Sequence, residues 1–192
     1  MSDAPRFELI SQFKDRFYLL PARATKFSAG YDFVVAQDTL VPALSNQFNL
    51  LDKNLTSPLT VTEVADLTKK YKCRPTLVPT GVKAYIPEGQ YLQISVRSSC
   101  PLKNWLILGN GVGVIDADYY NNPDNEGHIF FQIINLFPYD IVLCEGDKIG
   151  QGIFLPYNTI EHDAAENLRA GGFGSTDFAD ALYIQNRLGI AP

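Results

Sequence analysis

Short runs of Val, Ile, Phe and Tyr, each cut off by Gly, Pro, Asn or Asp, recur along this chain at residues 7–10, 31–35, 81–86, 91–96, 128–135, 140–143 and 149–155. β-Branched and aromatic side chains suit a half-buried pleated surface. Within Gly81-Val82-Lys83-Ala84-Tyr85-Ile86 the alternation has period two, and Pro87-Glu88-Gly89 then supplies a turn. Short strands spaced in this way predict an all-β sandwich or barrel. One segment departs from the pattern. Residues 62–71 carry Val64, Leu67 and Tyr71 at helical spacing, with Thr60 or Thr62 available as N-cap. One short helix is expected there, inside an insertion at about 45–75, as structural cover or an oligomer contact. After Pro156 the chain turns polar and glycine-rich, so residues 157–192 read as a flexible C-terminal arm. Within that arm Leu182, Ile184 and Leu188 mark a second helix candidate. No internal repeat divides the chain, and 1–192 reads as a single domain.

At 192 residues such a domain buries about 70% of its unfolded surface, enough for a sizeable core. A net charge of −5 argues against non-specific binding to nucleic acid or to an anionic membrane, since both need clustered Lys and Arg. A polyphosphate ligand stays open, because a few local arginines and a metal ion outweigh the net balance. Cys73, Cys100 and Cys144 are odd in number and form no Cys-x-x-Cys pair. They read as reduced thiols in a cytoplasmic protein without a zinc framework. Neither a signal peptide nor an apolar run of about 18 residues is visible, so neither export nor a membrane span is expected.

The run Gly109-Asn110-Gly111-Val112-Gly113-Val114-Ile115-Asp116-Ala117-Asp118-Tyr119 carries the clearest chemistry. Its three glycines remove side chains where a flat ligand would lie against the backbone. Asp116 offers a carboxylate that accepts several hydrogen bonds at once, enough to hold a hydroxyl and a water together. Tyr119 adds a ring face. A site that grips a base, a sugar and an attacking water needs these groups. The competing reading of Asp116 is a turn residue bonding its own backbone. For Tyr119 it is an ordinary core aromatic.

Four further segments stand in order around that run. They are Ala24-Thr25-Lys26-Phe27-Ser28-Ala29-Gly30-Tyr31-Asp32, Val96-Arg97-Ser98-Ser99, Gly146-Asp147-Lys148-Ile149-Gly150-Gln151 and Arg169-Ala170-Gly171-Gly172-Phe173-Gly174-Ser175-Thr176. Together the five resemble the motifs of the trimeric dUTP pyrophosphatases (dUTPases), over most of the chain from Phe7 to Thr176. The resemblance implies a distorted jelly-roll-like β fold and a homotrimer with active sites between subunits. It also implies Mg²⁺-dependent hydrolysis of dUTP to dUMP and pyrophosphate.

Carried over by motif, Asp116 is the residue that orients the water attacking the α-phosphorus and accepts a bond from the 3′-hydroxyl. Tyr119 is the ring packed on deoxyribose, where a ribose 2′-hydroxyl finds neither space nor partner. Asn110 and a backbone group at about Phe130 read uracil. Ser98, Ser99 and Gln151 meet the phosphates, while Arg97 either touches phosphate or braces its loop through an ion pair. In the arm, Phe173 stacks over the base, and Arg169, Gly174, Ser175 and Thr176 reach the β- and γ-phosphates. Magnesium is expected on the triphosphate without a direct protein ligand, with Asp32 a candidate for holding one of its waters or a neighbouring loop.

Two features depart from the common pattern. The turn after Tyr119 is long, Tyr120-Asn121-Asn122-Pro123-Asp124-Asn125-Glu126-Gly127, as in certain bacterial and phage members, and Ala170 replaces a usual glycine. A dCTP deaminase of the same fold is the rival enzyme. It needs a carboxylate on the returning strand, and residues 128–135 contain none. A nucleotide-sensing protein that binds a regulatory partner through 45–75 is the non-enzymatic alternative.

Overall fold

In the computed structural model of the protein, residues 4–49 and 58–163 are described. Twelve strands run in chain order: β1 (Arg6–Leu9), β2 (Ala22–Arg23), β3 (Tyr31–Val34), β4 (Thr39–Val41), β5 (Thr76–Pro79), β6 (Val82–Tyr85), β7 (Gln90–Val96), β8 (Leu106–Leu108), β9 (Gly113–Ile115), β10 (Phe130–Asn135), β11 (Ile141–Leu143) and β12 (Lys148–Pro156). They form a five-stranded sheet in the order β2-β3-β12-β7-β9 and a three-stranded sheet β5-β10-β8. The pairs β1-β6 and β11-β4 complete the all-β architecture, and every named pairing is antiparallel.

The two larger sheets face each other across one core. Phe33 of β3 and Phe131 of β10, both fully buried, meet with ring centroids 5.6 Å apart. Leu92, Ile94, Ile115, Ile133 and Ile149 fill the space around them. Each such side chain contributes about 1.5–3 kcal/mol through removal from water. The edge of this core is closed by a buried amide. Asn135 Nδ2 donates to the carbonyls of Val41 (3.0 Å) and Tyr139 (2.9 Å), tying β10 to β4 and to the following turn.

Three α-helices occur among the described residues, where the sequence pattern predicts one within the same stretch: α1 (Leu44–Phe48), α2 (Val61–Tyr71) and α3 (Ser99–Asn104). The expected one is α2. Thr60 caps it, accepting from the Glu63 N–H, while Glu63 Oε2 accepts from the Thr60 N–H at 2.8 Å. That reciprocal pair satisfies two N-terminal donors at once. Lys72, at φ 55°, ends the helix, and none of its residues is buried. The two helices not expected are five and six residues long, too short to show a periodic face. No helix among the described residues is long and apolar enough to cross a membrane.

Candidate active site

Strand β7 is the ruler of this site. Its C-terminal end leads to Arg97, Ser98 and Ser99, and α3 begins at once. The Arg97 N–H donates to the Ile149 carbonyl and the Cys100 N–H returns to the Arg97 carbonyl, which pins the bend. Across the sheet Gln151 of β12 lies opposite Ser95 on one side and Asp32 of β3 on the other. The Asp32 carboxylate, only 11% exposed, draws two cations together. Arg97 Nε stands 3.3 Å from Oδ1, and Lys148 Nζ stands 3.0 Å from Oδ2. Arg97 thus makes the bracing ion pair, with one of its five donors. Asp32 anchors two cations, one from the bend after β7 and one from β12. Arg97, Lys148, two hydroxyls and an amide at one strand end form a polar, cationic surface suited to phosphate oxygens.

Cys100 sits directly behind this surface. Its thiol donates to the Ile149 carbonyl at 3.2 Å, and burial pushes its pKa up. It packs and is not activated. Cys73, Cys100 and Cys144 are all free thiols.

Asp116 stands at the other end of β7. Strand β9 pairs with β7 in the register Ile115↔Leu92, so Asp116 follows beside Tyr91. Its backbone is extended (φ −82°, ψ 159°), and a 3-10 turn over Ala117–Tyr119 starts immediately after it. The side chain makes no N-capping bond to that turn. It is exposed, and with Tyr91, Val114 and Tyr157 it lines a shallow hollow of about 260 Å³.

Tyr119, one turn further, is 3% exposed and belongs to the core. Its hydroxyl donates to the His128 carbonyl at 2.8 Å and accepts from Asn125 Nδ2 at 2.9 Å. Asn110 lies exposed in the turn between β8 and β9, with its carbonyl accepting from the Val112 N–H at 2.7 Å. The glycines of this run divide. A side chain on Gly111 would meet open space, whereas the face of Gly113 is filled by Ile94, so Gly113 serves sheet packing and not a flat ligand. The Phe130 side chain lines a different hollow of about 370 Å³, among Gln12, Phe13, Gln37, Pro79 and His128. Of the arm residues, Arg169, Phe173, Gly174, Ser175 and Thr176 lie outside the described residues.

Three residues at the two ends of β7 carry no signal in sequence strong enough to find them alone. Lys148 falls inside a segment already singled out, yet only the register of β12 against β3 brings it to Asp32. Tyr91 sits in ordinary strand sequence and Tyr157 just past β12, and sheet pairing brings both to Asp116.

About 20 Å of strand, at the usual rise per residue, separates the Tyr91 end of β7 from Arg97. A water held by Asp116 and a phosphate held by Ser98 of the same chain cannot share one phosphorus atom over that span. No cluster of three or more acidic, His or Cys side chains suited to a metal ion occurs among the described residues.

Comparison with known proteins gives consistent results. A family model described as dUTPase matches residues 59–181. The chain is 38% identical over 172 residues to a deoxyuridine 5′-triphosphate nucleotidohydrolase of Lactococcus lactis, covering 88% of this chain and 95% of that one. It is 30% identical over 162 residues to the Rickettsia conorii protein of the same name, covering 82% and 87%. The crystal structure of dUTPase from Streptococcus mutans superimposes with a TM-score of 0.64 at 41% identity, over 81% of this chain and 98% of that chain. The dUTPase from phage phi11 of S. aureus shares the fold, with a TM-score of 0.57 at 19% identity.

Proposed function

The chain belongs to the dUTPase family, and on that premise we propose that it hydrolyses dUTP to dUMP and pyrophosphate at sites built from more than one copy of itself. The observation that carries this reading is the placement of Asp116 and the Arg97–Ser98–Ser99 bend at opposite ends of β7. One end fits the sugar and the attacking water, the other fits phosphates, and only a second copy can bring them face to face. A homotrimer, the assembly typical of the family, provides that juxtaposition with closed symmetry.

In this site Asp116 orients a water toward the α-phosphorus and accepts a bond from the 3′-hydroxyl. A carboxylate is a weak base toward water at neutral pH, so the contribution of Asp116 is position, with the proton leaving late. The water oxygen bonds to the α-phosphorus as the bridging bond to the β-phosphate breaks, and pyrophosphate departs with the electron pair. Ser98, Ser99 and Gln151 of the neighbouring copy hold the phosphate oxygens, with Arg97 and Lys148 balancing charge. Asn110 and the backbone near Phe130 read uracil, whose N3 donor and O4 acceptor are reversed in cytosine. Tyr119, buried and pinned by its hydroxyl, stands behind the C2′ side as a rigid wall. Arg169, Phe173, Gly174, Ser175 and Thr176 form a lid over base and phosphates.

Magnesium would be carried on the triphosphate, whose oxygens the cationic end of β7 is suited to meet. When bound there, the ion would neutralise charge developing on the leaving pyrophosphate. Free thiols support a cytoplasmic enzyme that keeps uracil out of DNA and supplies dUMP for thymidylate synthesis.

Incubation with dUTP, dCTP, dTTP and UTP tests the assignment. Pyrophosphate release from dUTP, well above the other three, is expected. Ammonia release from dCTP would establish a deaminase instead, against the absence of any carboxylate on β10.

A further inference from the structure

Eight residues, 120–127, carry the chain away from Tyr119 toward β10. They cross from the five-stranded sheet, where β9 lies, to the three-stranded sheet of β10. The polar groups of this turn converge on one ring. Asn125 Nδ2 donates to the Tyr119 hydroxyl (2.9 Å), and that hydroxyl donates to the His128 carbonyl (2.8 Å). Asn122, 5% exposed, holds the same residue from its other end. Its Nδ2 and its backbone N–H both donate to the Tyr119 carbonyl, at 3.2 and 3.3 Å.

The two amides also bind each other. Asn122 Nδ2 donates to Asn125 Oδ1 at 2.8 Å, and Asn125 Oδ1 accepts the Gly127 N–H at 3.0 Å. Asn122 Oδ1 accepts from the N–H groups of Asp124 and Asn125. Gly127 closes the knot at φ +81°, where a Cβ would stand 2.6 Å from the Tyr119 carbonyl oxygen. Outside the knot, the Glu126 carboxylate accepts from Ser11 N–H (3.1 Å) and hydroxyl (2.9 Å). Lys83 donates to Asn121 at 2.6 Å, and the Tyr120 hydroxyl donates to Glu8 at 2.7 Å. The turn is therefore fixed to β1, β6 and the segment between them.

We propose that Asn125, backed by Asn122, is a positioning residue that sets discrimination between deoxyribose and ribose by immobilising Tyr119; this rests on the reading of Tyr119 as the wall against C2′. A phenol offers one donor and a pair of acceptor sites. Here the donor is spent on His128 and one acceptor site on Asn125, inside a buried network. A 2′-hydroxyl forced against the ring meets no room and loses its water without replacement. A ring freed from the amide would pivot about its side-chain torsions and open that room.

Asn125→Asp keeps the shape and the acceptor for Gly127 but replaces the donor that faces Tyr119. The preference for dUTP over UTP in kcat/KM should fall about tenfold, chiefly through a gain on UTP. Tyr119→Phe, which keeps the ring and removes both bonds of the hydroxyl, should lower the same preference and serves if Asn125→Asp does not fold. Combined, the two changes should lower it no further than Tyr119→Phe alone. An unchanged preference in the variants, or additive losses in the pair, would overturn the inference while leaving the hydrolase reading intact. A wild-type protein that hydrolyses dUTP and UTP equally would remove the sugar-wall reading and this inference together.

Discussion

Asp116 and Arg97 occupy opposite ends of one strand, with β7 running between the neighbour of the first and the second. A reaction that needs both must draw them from different copies of the chain. Mixed assemblies follow directly. Asp116→Asn and Ser98→Ala chains, each nearly inactive alone, should recover activity when unfolded together and refolded. Random assortment over a two-chain site predicts about a quarter of wild-type turnover. Turnover no higher than that of the separate variants would place both groups in one chain's site.

Asp116→Asn by itself should lose turnover by orders of magnitude and retain nucleotide binding. Parallel kcat measurements and equilibrium titration with dUTP separate the two. A near-normal kcat would remove Asp116 from the water.

His128 gives the fold a dependence on acidity. It is 6% exposed, its Nε2 accepts from the Gly81 N–H at 2.8 Å, and burial pushes its pKa down from 6.5 to about 4. The unfolded chain therefore binds this proton more readily than the native one. The stability contributed by neutral His128 is complete above about pH 6.5 and is lost as pH falls toward 4, by an amount on the order of 3 kcal/mol. Urea midpoints measured across that range should decline, and His128→Gln should flatten the decline. An unaltered slope in the variant would transfer the effect to other groups.

Thr60→Ala should uncap α2 and cost that helix about 1 kcal/mol. Because α2 buries no residue, amide exchange within residues 61–71 should quicken while global melting barely moves. A comparable fall in melting temperature would show that α2 is coupled to the core.

Thiol reactivity should follow burial. Cys144 is exposed, whereas Cys100 is buried with a raised pKa. A thiol-specific disulfide reagent should label Cys144 rapidly and Cys100 only on unfolding. Fast labelling of Cys100 in the native protein would contradict its packing role.

Strands β1, β3, β6, β7, β10, β11 and β12 were readable because each overlaps a run of Val, Ile, Phe and Tyr bounded by turn residues. Strands β4, β5 and β8 fall outside those runs and carry no aromatic residue, so composition does not mark them. At the site, the resemblance of the motifs named Asp116, Arg97 and Gln151, but not the distance between them. That distance is set by pairing register, a non-local property that no single motif contains. The glycines misled for the same reason, since the space beside Gly113 belongs to Ile94 from another strand. The knot around Tyr119 was visible only as excess length, because which asparagine faces the phenol depends on how the turn folds back.

Helix α2 rests on its own cap and surrenders no side chain to the interior. Mutation can therefore lengthen, shorten or rewrite it at little expense to the two sheets. A change on its outer face would act through whatever meets that face, and not through the fold beneath it.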